Sequence, residues 1–169
     1  MQTTTRRISF SRPASRLLGL MLPLAALFVA IPAAAAGPPI AAGGSYQQLS
    51  FVPSNFRTAD GVTFFDFTQH DSLSGTFSGT TVIQGSCMTR ASGNTLCQGL
   101  ETLTGTVAGR GGAGDTVEFR DVVTIDPTGT VEGRFSIVGG TGALADLHGY
   151  GTFQSTSTGS YTGLVVFAP

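Results

Sequence analysis

The chain of 169 residues contains no lysine. That absence removes a Walker-type phosphate loop, whose lysine reaches the terminal phosphates of a bound nucleotide. Arginine is left as the strong base, and four of the nine, Arg6, Arg7, Arg12 and Arg16, crowd into the first 16 residues. Beyond them Arg57, Arg90, Arg110, Arg120 and Arg134 stand against ten carboxylates, a formal charge near −5. Nucleic acids are held by clustered cations that neutralise phosphates, so this balance argues against a nucleic-acid partner, and equally against an anionic membrane surface. Histidine is scarce too: His70 and His148 lie far apart, with no ligand spacing that would mark a metal site. No Gly-x-Ser-x-Gly elbow occurs, and His70 beside Asp71 is not a triad. Neither a metal nor a cofactor is expected.

What is present begins with an export signal. Residues 1–16 carry arginines and no acid, and Leu17 to Ile31 reads "LLGLMLPLAALFVAI" without a charge. The run is short of the roughly 20 residues a membrane-spanning helix needs, contains Pro23 and passes into "PAAAAGPP", so it reads as a cleaved signal and not an anchor. Cleavage is expected near Ala35 or Ala36. The twin arginines Arg6-Arg7 raise the question of folded export, but Ser9 and Phe10 fit that signal poorly, and the route stays open. The expected organisation is a signal peptide over 1–36, a flexible lead-in over 37–44 and one domain over 45–169. Some 130 mature residues suffice for a single core. The mature protein is expected in the periplasm, the cell wall or the medium, with no stable membrane span and an oligomeric state that the sequence leaves open.

Cys87 and Cys97 are the two cysteines, and both lie in the exported part, where oxidising conditions favour pairing. Ser92-Gly93-Asn94 between them is a turn signal, so a disulfide across a hairpin is expected.

From Ser45 onward the vocabulary is Thr, Ser, Gly, Val and Phe, which favours strands, and long helical patterns are absent. Val117, Phe119, Asp121, Val123 and Ile125 alternate with Thr116, Glu118, Arg120, Val122 and Thr124. Strands are expected over 46–52, 61–68, 72–84, 95–109, 115–125, 129–138, 147–155 and 159–167. "DSLSGTFSG" at 71–79 and "ETLTGTVAG" at 101–109 agree in residue type throughout, as though one strand had been built twice. In each copy the acid, the leucine, the first glycine and the Phe or Val share a face. Eight strands joined mostly by hairpins favour an all-β fold, an antiparallel closed barrel of about eight strands, over an open sheet with two edges; a two-sheet sandwich is the alternative.

"GGTGALADLHGYGTF", 139–153, contains Gly140-x-Gly142-x-x-Ala145, the spacing of a dinucleotide fingerprint. That fingerprint requires a helix opening at its glycines and an acid about 20 residues further on to hold the ribose. Asp146 is the last carboxylate, and Gly149 and Gly151 would interrupt a helix, so no nucleotide is expected and the glycines read as a tight turn. The order "GLETLTGTVAGRGG", "GRFSIVGGTGALADLHGYGTF", "GSYTGLVVF" resembles a bacterial family of small domains of unknown function. The resemblance covers roughly 57–167, and its most specific piece is Gly140-Thr141-Gly142-x-Leu144-x-x-Leu147-x-Gly149-x-Gly151. It implies an eight-stranded antiparallel barrel of the allene oxide cyclase type with a small apolar lumen and no reaction to carry over; a calycin-like barrel is the alternative form of closed ring.

Asp71 and Glu101, equivalent in the echo, are expected to face inward at a barrel end, and Asp121 falls on an apolar face. A carboxylate in an apolar lumen has its pKa raised, which makes a general acid or base. The plainer reading puts them at a hydrated rim, or bonded to Arg120 and Arg134. In "FFDF", 64–67, Phe64 and Phe65 take opposite faces. Leu73, Phe77, Leu103, Val107, Phe119, Asp121 and Phe135 are the expected lining of a ligand site. Three functions follow: a secreted barrel binding a small apolar molecule, an isomerase or cyclase using Glu101 or Asp71, or a closed barrel that acts as a macromolecule-interaction module. An enzyme is the less favoured class.

Overall fold

The structure, a computed structural model, describes residues 37–155 and 159–168. The expected signal peptide, 1–36, lies outside the described residues. Eight strands follow in order: β1 (Ile40–Ala59), β2 (Val62–Gly75), β3 (Phe77–Thr89), β4 (Thr95–Val107), β5 (Arg110–Ile125), β6 (Val131–Gly140), β7 (Leu147–Ser155) and β8 (Gly159–Phe167). Each pairs antiparallel with the next, and β8 pairs with β1 from Ile40–Val165 to Tyr46–Gly159, so the eight strands form a closed ring. The two-residue period explains which side each residue takes. In β5 Val117, Phe119 and Asp121 are buried while Glu118 and Arg120 are exposed; in β6 Phe135 and Ile137 are buried while Arg134 and Ser136 are exposed.

The strand bounds differ from expectation in several places: β1 runs on to Ala59, β3 to Thr89 and β5 begins at Arg110, and three further differences shape the site. β1 begins at Ile40, inside the segment expected to be a flexible lead-in, because residues 40–46 supply the pairing that closes the ring. β2 runs on through "QHDS", expected as a break, because Gln69 and Asp71 lie on one face and bond to each other, Gln69 Nε2 donating to both carboxyl oxygens at 3.0 and 2.9 Å. The corner falls instead at Gly75, whose φ of +107° glycine tolerates, and at Thr76, whose N–H donates to Gly43 O at 3.0 Å. The echo at 71–79 therefore turns this corner, whereas its partner at 101–109 stays in β4 to Val107 and turns at Ala108 and Gly109.

Inside the ring, large rings face glycines on neighbouring strands. Phe67 lies opposite Gly85, Phe153 opposite Gly133, Phe135 opposite Gly151 and Tyr46 opposite Gly159. A Cβ at Gly151 would meet the Phe135 ring at 2.5 Å, and one at Gly85 would stand 2.8 Å from Phe67 Cε1. Glycine at these places provides room, and the aromatic ring covers the backbone that glycine leaves bare.

One end of the ring is solid. Leu103, Val107, Val117, Leu144, Leu147 and Val165 have no exposed surface there. Leu144 comes from a single 3-10 turn, Gly142–Leu144, in the segment read as a tight turn, and Gly142 takes a φ of +56°. At the other end Cys87 and Cys97 stand opposite each other on β3 and β4 and form a disulfide. The hairpin beneath it turns at Gly93, with Arg90 N–H donating to Asn94 O at 3.0 Å.

Two stability measurements test this account. Gly151→Ala should destabilise the protein by about 1–3 kcal/mol in urea unfolding, because the methyl collides with the Thr162 carbonyl oxygen and with the Phe135 ring. Gly139→Ala, where a Cβ meets nothing within 4 Å, should stay within about 0.5 kcal/mol of the parent. Replacing both cysteines by serine should cost about 2–3 kcal/mol, the loop-closure entropy of so short a bridge, read from the same unfolding curves.

Candidate functional site

Above the solid end the ring is hollow. The floor is a cluster of rings: Phe77, Phe119 and Phe135 meet edge to face at centroid distances of 5.3–5.8 Å, and Tyr161 packs on Phe77 at 5.2 Å. Tyr161 is fixed by its hydroxyl, which accepts the Phe77 N–H at 2.9 Å and faces the carbonyls of Ser74 and Phe77 at 3.1 and 3.2 Å. From this floor a cavity of about 1010 Å³ opens toward the disulfide end. Phe65, Phe67, Ile83, Val123, Ile125 and the disulfide line its upper part. Phe65 faces this lumen and stacks on Phe56, while Phe64, on the opposite face, carries the Arg57 guanidinium.

Between floor and mouth runs a belt of polar side chains on four adjacent strands: Asp71 on β2, Thr81 on β3, Glu101 on β4 and Asp121 on β5. Asp71 stands directly opposite Thr81, and Glu101 and Asp121 follow diagonally, each offset by two residues from the partner in register. Asp71 and Asp121 are each 3 % exposed and Thr81 is 1 % exposed. The carboxyls therefore sit mid-barrel between two apolar clusters, not at a hydrated end. Arg120 and Arg134, considered as their partners, are exposed on the outer face. Gln69 supports Asp71; Thr81 Oγ1 and Asp121 Oδ1 lie near Glu101 but meet no partner in hydrogen-bonding geometry.

The electrostatic consequence is that the belt resists charge. Burial raises Asp71 above the ordinary carboxylate range, with Gln69 opposing the rise. Burial raises Glu101, against the pull of Thr81 and Asp121. Asp121 is pushed up to about 9, first by burial and then by the neighbouring Glu101. At neutral pH Asp121 is a protonated acid inside a largely apolar cavity.

The residues expected as ligand lining divide. Leu73, Phe77, Phe119, Asp121 and Phe135 border the cavity, as do Asp71 and Glu101. Leu103 and Val107 do not: they face inward as their strand parity requires, but lie below the floor, packed into the solid end. Sequence reasoning also missed Tyr46, Gln69 and Tyr161. The glycine opposite Tyr46 and the inward parity of Gln69 with Asp71 were the available signals. Among the described residues no group of three His, Cys, Asp or Glu side chains converges closely enough to hold a metal ion. No helix among them is long and apolar enough to cross a membrane.

Comparison with known proteins adds a family and a fold. A family model described as "Protein of unknown function (DUF3224)" matches residues 42–164. A crystal structure of a protein of unknown function from that family, from Shewanella oneidensis MR-1, is similar over 78 % of this chain and 99 % of its own, with a TM-score of 0.66 and 16 % identity. Such identity speaks to the fold alone. No curated protein matches the chain.

The belt makes stability depend on pH in a defined direction. Unfolded, Asp121 loses its proton near 3.8; folded, it keeps it to about 9, so between these values the folded state binds the extra proton and stability falls as pH rises. Urea midpoints should decline from pH 4 toward pH 9, and Asp121→Asn should flatten that decline and raise the midpoint at pH 8. A midpoint that rises over this range would overturn the assignment of a buried neutral acid.

Proposed function

Because the chain belongs to the DUF3224 family, described only as proteins of unknown function, the reading has to come from the cavity, and we propose that it is an exported barrel binding a small, largely apolar molecule in its lumen. The observation that carries this is the cavity itself: about 1010 Å³ of aromatic-lined space above a solid plug, in the size range of small-molecule sites. Eight strands enclose room for one small ligand, and here the side chains fill the closed end and leave the other free. Export is supported by the arginine-bearing, apolar start of the sequence and by the disulfide between Cys87 and Cys97. The assignment of the ring to the allene oxide cyclase type is part of this proposal and rests on the sequence resemblance.

A second reading, an isomerase or cyclase acting on an apolar substrate, has one observation in its favour. A carboxyl held neutral in an apolar cavity is what a general acid requires, and Asp121 is one, with Glu101 beside it as the proton's other holder. A closed barrel working only through its outer surface is less favoured, since its lumen would be packed shut.

Nile red uptake tests the binding reading directly. One saturable site per chain is expected, with blue-shifted emission, and Val123→Trp, which places an indole across the upper lumen, should abolish it while the far-ultraviolet circular dichroism stays unchanged. Absence of saturable uptake by the parent protein would turn attention to its outer surface.

A further inference from the structure

Resting on the cavity reading above, we propose that the ligand is an organic amine, an apolar body carrying a basic nitrogen, with that nitrogen seated against Asp121 and Glu101 and within reach of Asp71. Four observations lead to it. The first is composition of the wall: three carboxyls border one cavity, while Arg57, Arg90, Arg110, Arg120 and Arg134 are all exposed. Among the described residues no basic side chain lines the cavity, so a carboxylate formed on this wall would find its counter-charge on a ligand.

The second is a set of unmet hydrogen bonds. Asp121 Oδ1 and Thr81 Oγ1 are buried without a partner, in side chains 3 % and 1 % exposed on neighbouring sides of Glu101. An orphaned buried polar atom costs folding free energy, and a proton donor entering the lumen beside Asp121 would recover it. An ammonium group carries three donors and no acceptor, which suits a wall whose members are acceptors once ionised.

The third is depth. The belt lies between an aromatic floor and an apolar mouth, so a ligand charged in its middle or at one end would bury hydrocarbon on both sides of the charge. Phe119, beside Glu101, and Phe135, beside Asp121, add ring faces that attract cations. The fourth is spacing. The carboxyls are spread over several strands and do not converge as metal ligands do. An anionic molecule such as a fatty acid would be repelled by any of these carboxyls that ionised, and a neutral one would leave the acids protonated.

Binding would move a proton. The amine enters as R–NH3+, Asp121 or Glu101 gives its proton to solvent, and the resulting carboxylate pairs with the ammonium, so charge balances with one proton released. The groups facing Asp121 that could share in this are Glu101 on β4, Asp71 on β2 and the phenols of Tyr46 on β1 and Tyr161 on β8. β3 contributes Thr81 and the disulfide, and β6 and β7 contribute Phe135, Phe153 and Ser155, none of which titrates.

The test compares two probes of one shape, 2-(1-naphthyl)ethylamine and 2-(1-naphthyl)ethanol, by isothermal titration at pH 7.4 in phosphate and in Tris. We expect the amine to bind at least about tenfold more tightly than the alcohol. Its apparent enthalpy should differ between the buffers by an amount that reports proton release. In the Asp121→Asn, Glu101→Gln double variant the preference should fall to about one. If that variant fails to fold, Asp71→Asn should reduce the preference instead, by a smaller factor. Equal binding of both probes would overturn the amine inference and leave the cavity reading standing. A preference that survives in the folded double variant would also overturn it, since the belt would not be its source. Failure of both probes to bind would overturn the amine inference together with the cavity reading on which it rests.

Discussion

Everything inside this ring depends on how an eight-stranded wall makes space for aromatic side chains. A small barrel has an interior just wide enough to be filled by side chains, so several of its large rings enter where the position across from them is empty. Phe67, Phe135, Phe153 and Tyr46 each satisfy that condition by facing a glycine on the next strand. The exchange works both ways. Glycine weakens a strand by entropy and bare backbone, and the ring laid over it restores burial. In each pair the ring lies over the bare backbone of its glycine, where a Cβ would collide with it.

The carboxyl belt is the opposite kind of feature. It adds nothing to stability that an apolar wall would not add better, and it forces Asp121 to carry a proton through the neutral range. Two of its oxygens, Thr81 Oγ1 and Asp121 Oδ1, lie near Glu101 without reaching a partner in hydrogen-bonding geometry. Groups that cost folding free energy and sit together on the wall of one cavity are more readily explained by what the cavity receives than by what the fold requires. The floor beneath shows the contrast. There the buried polar atom, the Tyr161 hydroxyl, is bonded on both sides and simply holds the corner at Phe77 in place.

How much of this was legible in the sequence varied with the physics of each part. The strand period placed Asp121, Phe119 and Phe135 on the inner face, and the turn at Ser92-Gly93-Asn94 aligned the cysteines, because both are set by local chain geometry. Parity says nothing of height, however. Leu103 and Glu101 share a face two residues apart, yet one lies in the plug and the other on the cavity wall. The same gap explains why Asp71 and Glu101 were expected at an end and stand in the middle: depth is decided by the register between strands, which no single strand encodes. The lead-in was misjudged for a related reason. "IAAGG" has the composition of a linker, and only the distant partner Val165–Tyr161 makes it a strand.

That distant pairing has a consequence for how the molecule comes into being. Seven of the eight junctions join strands adjacent in sequence, so each can form as soon as its hairpin is made. The eighth joins residues 40–46 to 159–165, nearly the whole length of the domain. During synthesis β1 is the first strand to appear and the last to be fully paired, and its free edge stays open until β8 arrives. Any partly folded form that lacks the β1–β8 junction is therefore a curved sheet with two open borders, and only the joining of the two ends of the domain removes them.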